Sequence, residues 1–143
     1  MIWRRKSSFW RKQMLDHKDF AKMCDNYANM AKDFEAFLID FLLEEAKWVQ
    51  GATKDRTPVK TGHLRGRWRI TKVYKLSSGN LGFTLVNDAD YASYVELGHT
   101  TKKRDKWVEG YFMATISIAK LEERMPADFE KEFILFLRKH GVQ

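Results

Sequence analysis

"TPVKTGHLRGRWRI", residues 57–70, contains one of the two prolines of the chain and two of its eight glycines. Pro58 disfavours helical geometry in the residue before it, and Gly62 permits a turn at little steric cost. A helical pattern precedes this stretch and a strand pattern follows it, so the stretch predicts a corner between the two. A phosphate loop is a weaker interpretation, because the first glycine of that motif is missing and no strand precedes it.

Upstream of the corner, apolar residues recur at three-to-four spacing, which predicts helices. A first helix is expected over residues 16–31, with Asp16 as its N-cap. Its apolar face comprises Phe20, Met23, Tyr27 and Met30 (or Ala31). A longer central helix begins at Asp33 and continues to residue 56. Its apolar stripe is interpreted as core rather than as a cofactor-binding surface and comprises Phe34, Phe37, Leu38, Phe41, Leu42, Ala46 and Val49.

Downstream of the corner, the sequence pattern repeats every two residues instead of every three to four. Residues 66–76 alternate between two sides, with Trp68 and Ile70 on one of them, which predicts a half-buried strand. "SSGN", residues 77–80, predicts a hairpin turn, and residues 81–87 predict the returning strand. A basic loop is expected at residues 101–106.

Two helices are expected to close the chain. One begins near Val108, and Met125-Pro126 breaks it or starts a new first turn. The second ends before Gly141. The chain therefore predicts an α+β domain with N-terminal helices including the long central one, a small antiparallel sheet (a hairpin near 66–87) and C-terminal helices. We expect residues 1–15 to form an arm and residues 16–143 a single domain.

The overall composition indicates one domain with an anionic or acidic partner. The 143 residues suit a single core, and the net charge is +7. A single cysteine, Cys24, excludes a disulfide within the chain, and we interpret it as an inert core thiol rather than a reactive one. No apolar run is long enough to span a bilayer, so we expect no membrane association and synthesis in a cytoplasm-like compartment.

The N-terminal segment, residues 1–12, combines five basic residues with three aromatic ones and has no acid. One interpretation is a solvated tail. The other is an arm that docks on a partner, since a purely solvated tail rarely carries three aromatic residues. The candidate docking residues are Trp3, Arg4, Arg5, Phe9 and Trp10.

A second basic region follows the corner. Residues 54–75 contain eight Lys and Arg residues against one acid. Alternation predicts that Arg65, Arg67 and Arg69 share one face of the strand, where they could meet a phosphate backbone, an acidic neighbouring subunit or solvent. Any nucleic-acid contact would be independent of base sequence. The candidate basic contact face comprises Arg65, Arg67, Arg69, Lys102, Lys103 and Arg104.

Catalytic and metal-binding patterns are weak in this sequence. The four histidines form no metal-spaced pair. Glu96 and His99 could form an acid/base pair, but no nucleophile or orienting group accompanies them. We expect no catalytic site, no metal, no cofactor and no small-molecule substrate.

Two motifs in a fixed order carry a family resemblance. "TPVKTGHLRGRW" is followed by "VNDADYASYVELGH", a basic loop and "WVEGYFMATISIAKLEE". This order resembles the neck and tail-completion family of long-tailed phages and prophages, to which lambda's Z protein is related, over residues ~33 to ~124. The matching positions are Thr57, Pro58, Val59, Thr61, Gly62, Leu64, Arg65, Val86, Asn87, Tyr91, Ala92, Val95, Glu96 and Gly98.

The resemblance implies a non-enzymatic virion protein that joins the tail's upper end to the head connector. It implies a homo-oligomer, such as a ring, whose partners are other neck and tail proteins (a connector or adaptor, a tail terminator or the tube). Non-specific contact with DNA in a channel is a further expectation. The alternative is a free-standing, sequence-independent nucleic-acid-binding module.

The two motifs also suggest specific packing. Leu64 and Trp68 are expected to hold the strand against the core. Tyr91, Tyr94 and Val95 are expected to be buried. Glu96 is expected to reach either a backbone amide or an arginine, for which Arg65 is the candidate.

Overall fold

The structure is a computed structural model that describes residues 17–60 and 62–142. The N-cap predicted at Asp16 and the predicted docking arm lie outside the described residues. The fold is α+β, as the sequence predicts, with two long helices and short antiparallel strand pairs. The elements in chain order are α1 (His17–Arg56), α2 (His63–Gly66), β1 (Trp68–Ile70), β2 (Tyr74–Lys75), β3 (Leu81–Gly82), β4 (Leu85–Asn87), α3 (Ala92–Leu97), β5 (Gly98–Thr100), β6 (Trp107–Glu109) and α4 (Met113–Lys139).

The N-terminal helical region is one continuous helix of 40 residues, so the prediction of separate helices at 16–31 and from Asp33 is wrong. Asp33 resembles a helix start, but no glycine or proline lies between residues 17 and 50 to interrupt the chain. The helix ends at Arg56, two residues before Pro58, as the corner predicts.

The C-terminal region is also a single helix, so the break predicted at Met125-Pro126 is wrong. Proline inside a helix removes one hydrogen bond and costs about 3 kcal/mol. Here the helix is held on both sides of Pro126, because Leu121 and Phe136 are buried and α4 packs along α1. Its start is also later than predicted, since the residues around Val108 form β6.

Phenylalanine rings join the two long helices. Phe37 and Phe136 have ring centroids 4.6 Å apart, and Phe41 and Phe129 meet edge to face at 5.3 Å. Such pairs contribute about 0.5–1.5 kcal/mol beyond the area that they bury. The α1 stripe that the sequence predicts as core therefore does pack against α4 along this part of the helix.

The predicted hairpin within residues 66–87 is confirmed, but its strands are shorter than predicted. β1 pairs with β4, with Trp68 opposite Asn87, and β2 pairs with β3. Residues 71–73 interrupt the expected continuous strand. The turn at 77–80 is present, with Gly79 at φ 87°. A third strand pair, β5 with β6, was not predicted.

A small second core lies beneath the corner and joins the sheet to α3 and α4. Leu64, Trp68, Ala89, Ala92 and Met113 form it. Leu64 and Trp68 are buried, as the sequence predicts. Among the described residues, neither long helix contains a stretch apolar enough to cross a membrane.

Candidate functional site

The first motif closes the corner through a buried hydrogen bond. The Trp68 Nε1–H donates to Thr57 Oγ1 at 2.9 Å, and the Thr57 hydroxyl donates to the Thr53 carbonyl at 2.8 Å. Gln50 Nε2 also donates to the Trp68 carbonyl at 2.8 Å. The last turns of α1 and the start of β1 are thereby held together by the buried side chains of Thr57 and Trp68 and by the half-buried Gln50.

Gly62 provides the turn of the corner, with φ 77° in the left-handed region. Leu64 follows it into the second core, and its carbonyl accepts a hydrogen bond from Asn87 Nδ2 at 2.9 Å. Asn87 Oδ1 accepts from the Ala89 amide at 3.0 Å. Asn87 therefore ties the second motif to the first.

Glu96 caps the last helix. Its carboxylate accepts hydrogen bonds from the Ala114 and Thr115 amides at 3.1 and 2.9 Å and from the Thr115 hydroxyl at 2.8 Å. A carboxylate at this position satisfies unpaired amides and is favoured by the helix dipole. Of the two partners that the sequence suggests, the backbone amide is right and Arg65 is wrong.

Gly98 and Gly110 allow the backbones of two segments, residues 96–98 and 108–110, to approach closely next to Glu96. Gly98 has φ 88°, and a Cβ there would lie 2.6 Å from the Val108 carbonyl oxygen. A Cβ on Gly110 would meet the backbone at residues 96–98. The β5–β6 pair was not predicted, although the glycines at the two ends of "GHTTKKRDKWVEG", residues 98–110, are a sequence signal for a close backbone approach.

The tyrosines of the second motif are exposed, so the prediction that they are buried is wrong. Tyr94 is 57% exposed and Tyr91 42%. α3 presents its small residue Ala92 to the core instead, with Val95 half-buried beside it. The Tyr91 hydroxyl lies 3.1 Å from His63 Nδ1, which joins the two motifs again at the surface.

The remaining motif positions have different environments. Pro58 is half-buried and Val59 is exposed. Val86 is half-buried and pairs with Arg69 across the β1–β4 ladder. Thr61 lies outside the described residues.

The predicted arginine row is not one strand face. Arg65 lies in the one-turn helix α2, and only Arg69 lies within a strand, because β1 begins at Trp68. Arg67 and Arg69 converge on Asp88, with nitrogen–oxygen distances of 3.4 and 2.6 Å. Arg65 pairs instead with Asp55, at 3.2 Å. All three side chains are exposed, and each already has a carboxylate partner.

The basic loop lies between β5 and β6, as an exposed turn. Lys102, Lys103 and Arg104 make no ion pair with any described residue, and Arg104 has φ 55°. The Thr101 hydroxyl donates to Asp105 at 2.5 Å, which closes the turn. No hydrogen bond or ion pair within the described residues connects this loop to the three arginines.

The candidate acid/base pair does not form in this structure. The Glu96 carboxylate faces the α4 amides, whereas the His99 ring packs edge-on against Tyr94 at 5.9 Å. Within residues 17–60 and 62–142, no cluster of His, Cys, Asp or Glu could hold a metal ion. Cys24 is exposed on α1, so its interpretation as a core thiol is wrong.

Comparison with known proteins identifies a family for this chain. A family described as "Bacteriophage HK97-gp10, putative tail-component" matches residues 21–98, a range that contains every matching position of the two motifs and ends at Gly98. No curated protein and no solved structure matches the chain significantly. The resemblance to phage neck and tail-completion proteins is consistent with this match, and the chain belongs to the HK97-gp10-like family of phage tail components.

Proposed function

We propose that the protein is a non-enzymatic structural component of the head–tail junction, which joins the upper end of the tail to the head connector. The family is described only as a tail component, and the proposal adds the position of the protein within the particle. It includes assembly in several copies, with contacts to a connector or adaptor and to a tail terminator or tube.

The use of the motif side chains is the observation that carries this proposal. The polar atoms of Thr57, Asn87 and Glu96 bond to other parts of the same chain, with Thr57 accepting from the Trp68 indole. Each of these contacts fixes one element of the fold against another. Polar groups that are bonded within the chain are not available to a substrate. They therefore favour a rigid structural protein over an enzyme.

One observation favours the alternative function, sequence-independent binding of nucleic acid. Lys102, Lys103 and Arg104 extend from the β5–β6 turn without carboxylate partners among the described residues. Such cations suit phosphates, whereas Arg67 and Arg69 already share Asp88. A DNA contact, within a channel or free, would therefore use the loop first.

Deletion of the gene in its phage or prophage tests the proposal. We expect heads and tails that each form but fail to join or mature, visible by electron microscopy. Complementation with the full chain should restore joined particles, and so should a chain with Lys102, Lys103 and Arg104 changed to Gln. Normal infectious particles from the deletion strain would contradict the proposal.

The same loop variant separates the two functions. A junction protein with the loop neutralised still co-purifies with tails as an oligomer. A free nucleic-acid-binding module would be a monomer or dimer on DNA, and the loop variant would lose DNA binding and function together. That second result would favour the alternative.

A further inference from the structure

A groove of about 800 Å³ runs between α1 and α4, and its lining is acidic. Its floor contains aromatic rings of the seam, including Phe37 and Phe41, and its rim includes the half-exposed Leu135. Three basic side chains lie among twice as many carboxylates. The carboxylates are those of Asp33, Asp40, Glu44, Glu45, Asp128 and Glu132.

One of these carboxylates is buried with an unsatisfied oxygen. Glu45 is only 5% exposed, and its Oε2 has no hydrogen-bond partner within the described residues. Its Oε1 lies 3.7 Å from Arg124, which is shared with Asp128. Desolvation raises the pKa of Glu45 above its usual value. An additional donor or cation in the groove would satisfy this oxygen.

Two more carboxylates of the groove are available to a basic ligand. Asp40 and Glu132 are exposed, and neither forms an ion pair with another residue of the described chain. The groove therefore matches a ligand that carries several positive charges together with apolar or aromatic side chains.

We propose that this acid-lined groove binds residues 1–12 of a second copy of the chain. That segment has five basic residues, three aromatic residues and no acid, so its chemistry complements both the carboxylates and the rings of the groove. The inference does not depend on where in the particle the protein lies.

Distance favours the arm of a second copy over the arm of the same chain. His17 begins α1, and Glu45 lies about 42 Å further along that helix at 1.5 Å per residue. The chain from Arg5 to His17 spans at most about 43 Å when fully extended. An arm that reversed direction at His17 would use several residues in the turn, and Arg5 would then fall short of Glu45.

The exposed start of α1 indicates how a second copy would approach. Phe20, Met23 and Tyr27 are exposed, and they continue the stripe that α4 covers further along the helix. In an antiparallel pairing of two copies, Phe20 faces Met30 and Met23 faces Tyr27. The side chains then match across a two-fold axis at residue 25.

This pairing brings each arm to the groove of the other copy. It places His17 of one copy beside Asp33 of the other, at the groove entrance. Glu45 is then about 18 Å further along, and Lys12 reaches about 17 Å from His17 in an extended chain. That reach is an upper limit, so an arm that is less than fully extended places Arg11 and Lys12 beside the carboxylates and Phe9 and Trp10 beside the rings of the groove.

Charge exchange in the full chain tests the proposal, with self-association measured by sedimentation velocity over a concentration series. We expect Asp40→Lys with Glu132→Lys to weaken association by about tenfold or more, and Arg11→Glu with Lys12→Glu to do the same. Combining all four changes should restore most of the native affinity, because the charges then match again.

A matched control separates a local effect from net charge. Glu122 and Glu130 are exposed acids of α4 that do not line the groove. Changing both to Lys adds the same charge as the groove variant and should alter the affinity by less than about threefold. Equal weakening in this control, or a native chain that is monomeric throughout the series, would overturn the proposal.

Cross-linking of mixed isotope-labelled copies identifies which copy supplies the arm. We expect arm-to-groove cross-links between heavy and light chains. Cross-links confined to single chains would overturn the proposal in favour of an arm docked on its own groove. Cys24 lies next to the proposed two-fold axis, so oxidation with copper phenanthroline should also yield a disulfide-linked dimer that Cys24→Ser abolishes.

Discussion

The two ends of α1 share one helix and one apolar period, yet they lie in different surroundings. Near the C-terminal end, Ala46, Val49 and Thr53 are completely buried. Near the N-terminal end, Phe20 is 52% and Tyr27 48% exposed. A pattern that predicts an apolar face therefore does not predict what covers it.

The length of α4 accounts for the difference. α4 ends at Lys139, and His140 contacts Asp33. Before Asp33, the described side chains of α1 are exposed except for those of Asn26 and Met30, and Gly141 lies beside Asn26. We infer that one end of α1 stabilises the fold, whereas the other end is available for association.

The largest expected loss of stability comes from a substitution in the corner, at the buried end of α1. Trp68→Ala removes a buried indole and its hydrogen bond to Thr57, so we expect a loss of about 3–5 kcal/mol in the free energy of unfolding. Chemical denaturation measures it. Trp107→Ala is the matched control, because Trp107 is exposed, and it should cost about 1 kcal/mol or less. Equal losses would contradict the account.

The next effect compares the same residue type at the two ends of α1. Phe37→Ala removes a ring that packs against Phe41 and Phe136, so we expect a loss of about 2–4 kcal/mol. Phe20→Ala should change the stability of the dilute protein by less than about 0.5 kcal/mol, since its ring is largely exposed. Thermal and chemical unfolding at low protein concentration measure both losses. A loss for Phe20→Ala as large as that for Phe37→Ala would contradict the distinction between the two ends of α1.

A smaller effect is expected at the helix cap beside the corner. Glu96→Gln keeps the shape of the side chain but removes the charge that the first turn of α4 favours. We expect a loss of about 0.5–2 kcal/mol in unfolding experiments. Glu109→Gln, on exposed β6, should be nearly neutral. If both variants matched the native protein, the capping role of Glu96 would be excluded.

The smallest expected effect on stability depends on pH. It comes from the contact between His140 and Asp33, which lies between the buried and the exposed end of α1. The Phe136 carbonyl and Asp33 raise the pKa of His140, because only the protonated ring donates to both. This stabilisation is complete below the ordinary histidine pKa of about 6.5 and is lost as pH rises through the higher folded value. The stability difference between the native protein and His140→Gln should therefore be larger near pH 6 than near pH 9. A difference that is constant with pH would contradict the contact.

Much of the buried end could be predicted from the sequence. Pro58 and Gly62 act locally, so the end of α1, the corner and the burial of Leu64 and Trp68 follow from residue type and order. The apolar stripe of α1 could also be predicted, because its three-to-four spacing is a property of the sequence and does not depend on what packs against it.

The errors arose where packing between distant residues overrides local signals. Asp33 and Pro126 mark helix boundaries in isolation, but both lie inside helices that pack against each other. Tyr91 and Tyr94 were expected in the core, which the small residues Ala89 and Ala92 occupy because α3 lies close against it. The β5–β6 pair depends on the close approach of Gly98 and Gly110, which no period reveals. The groove joins residues about 90 positions apart and has no local sequence signature.

Backbone hydrogen exchange along α1 tests the central distinction most directly. In dilute protein, we expect the amides of residues 18–30 to exchange rapidly and those of residues 44–56 to exchange only through global unfolding. At concentrations where copies associate, residues 18–30 should become protected and residues 44–56 should not change. Uniform protection along the whole helix in dilute protein would contradict the account, and so would exchange at residues 18–30 that is independent of concentration.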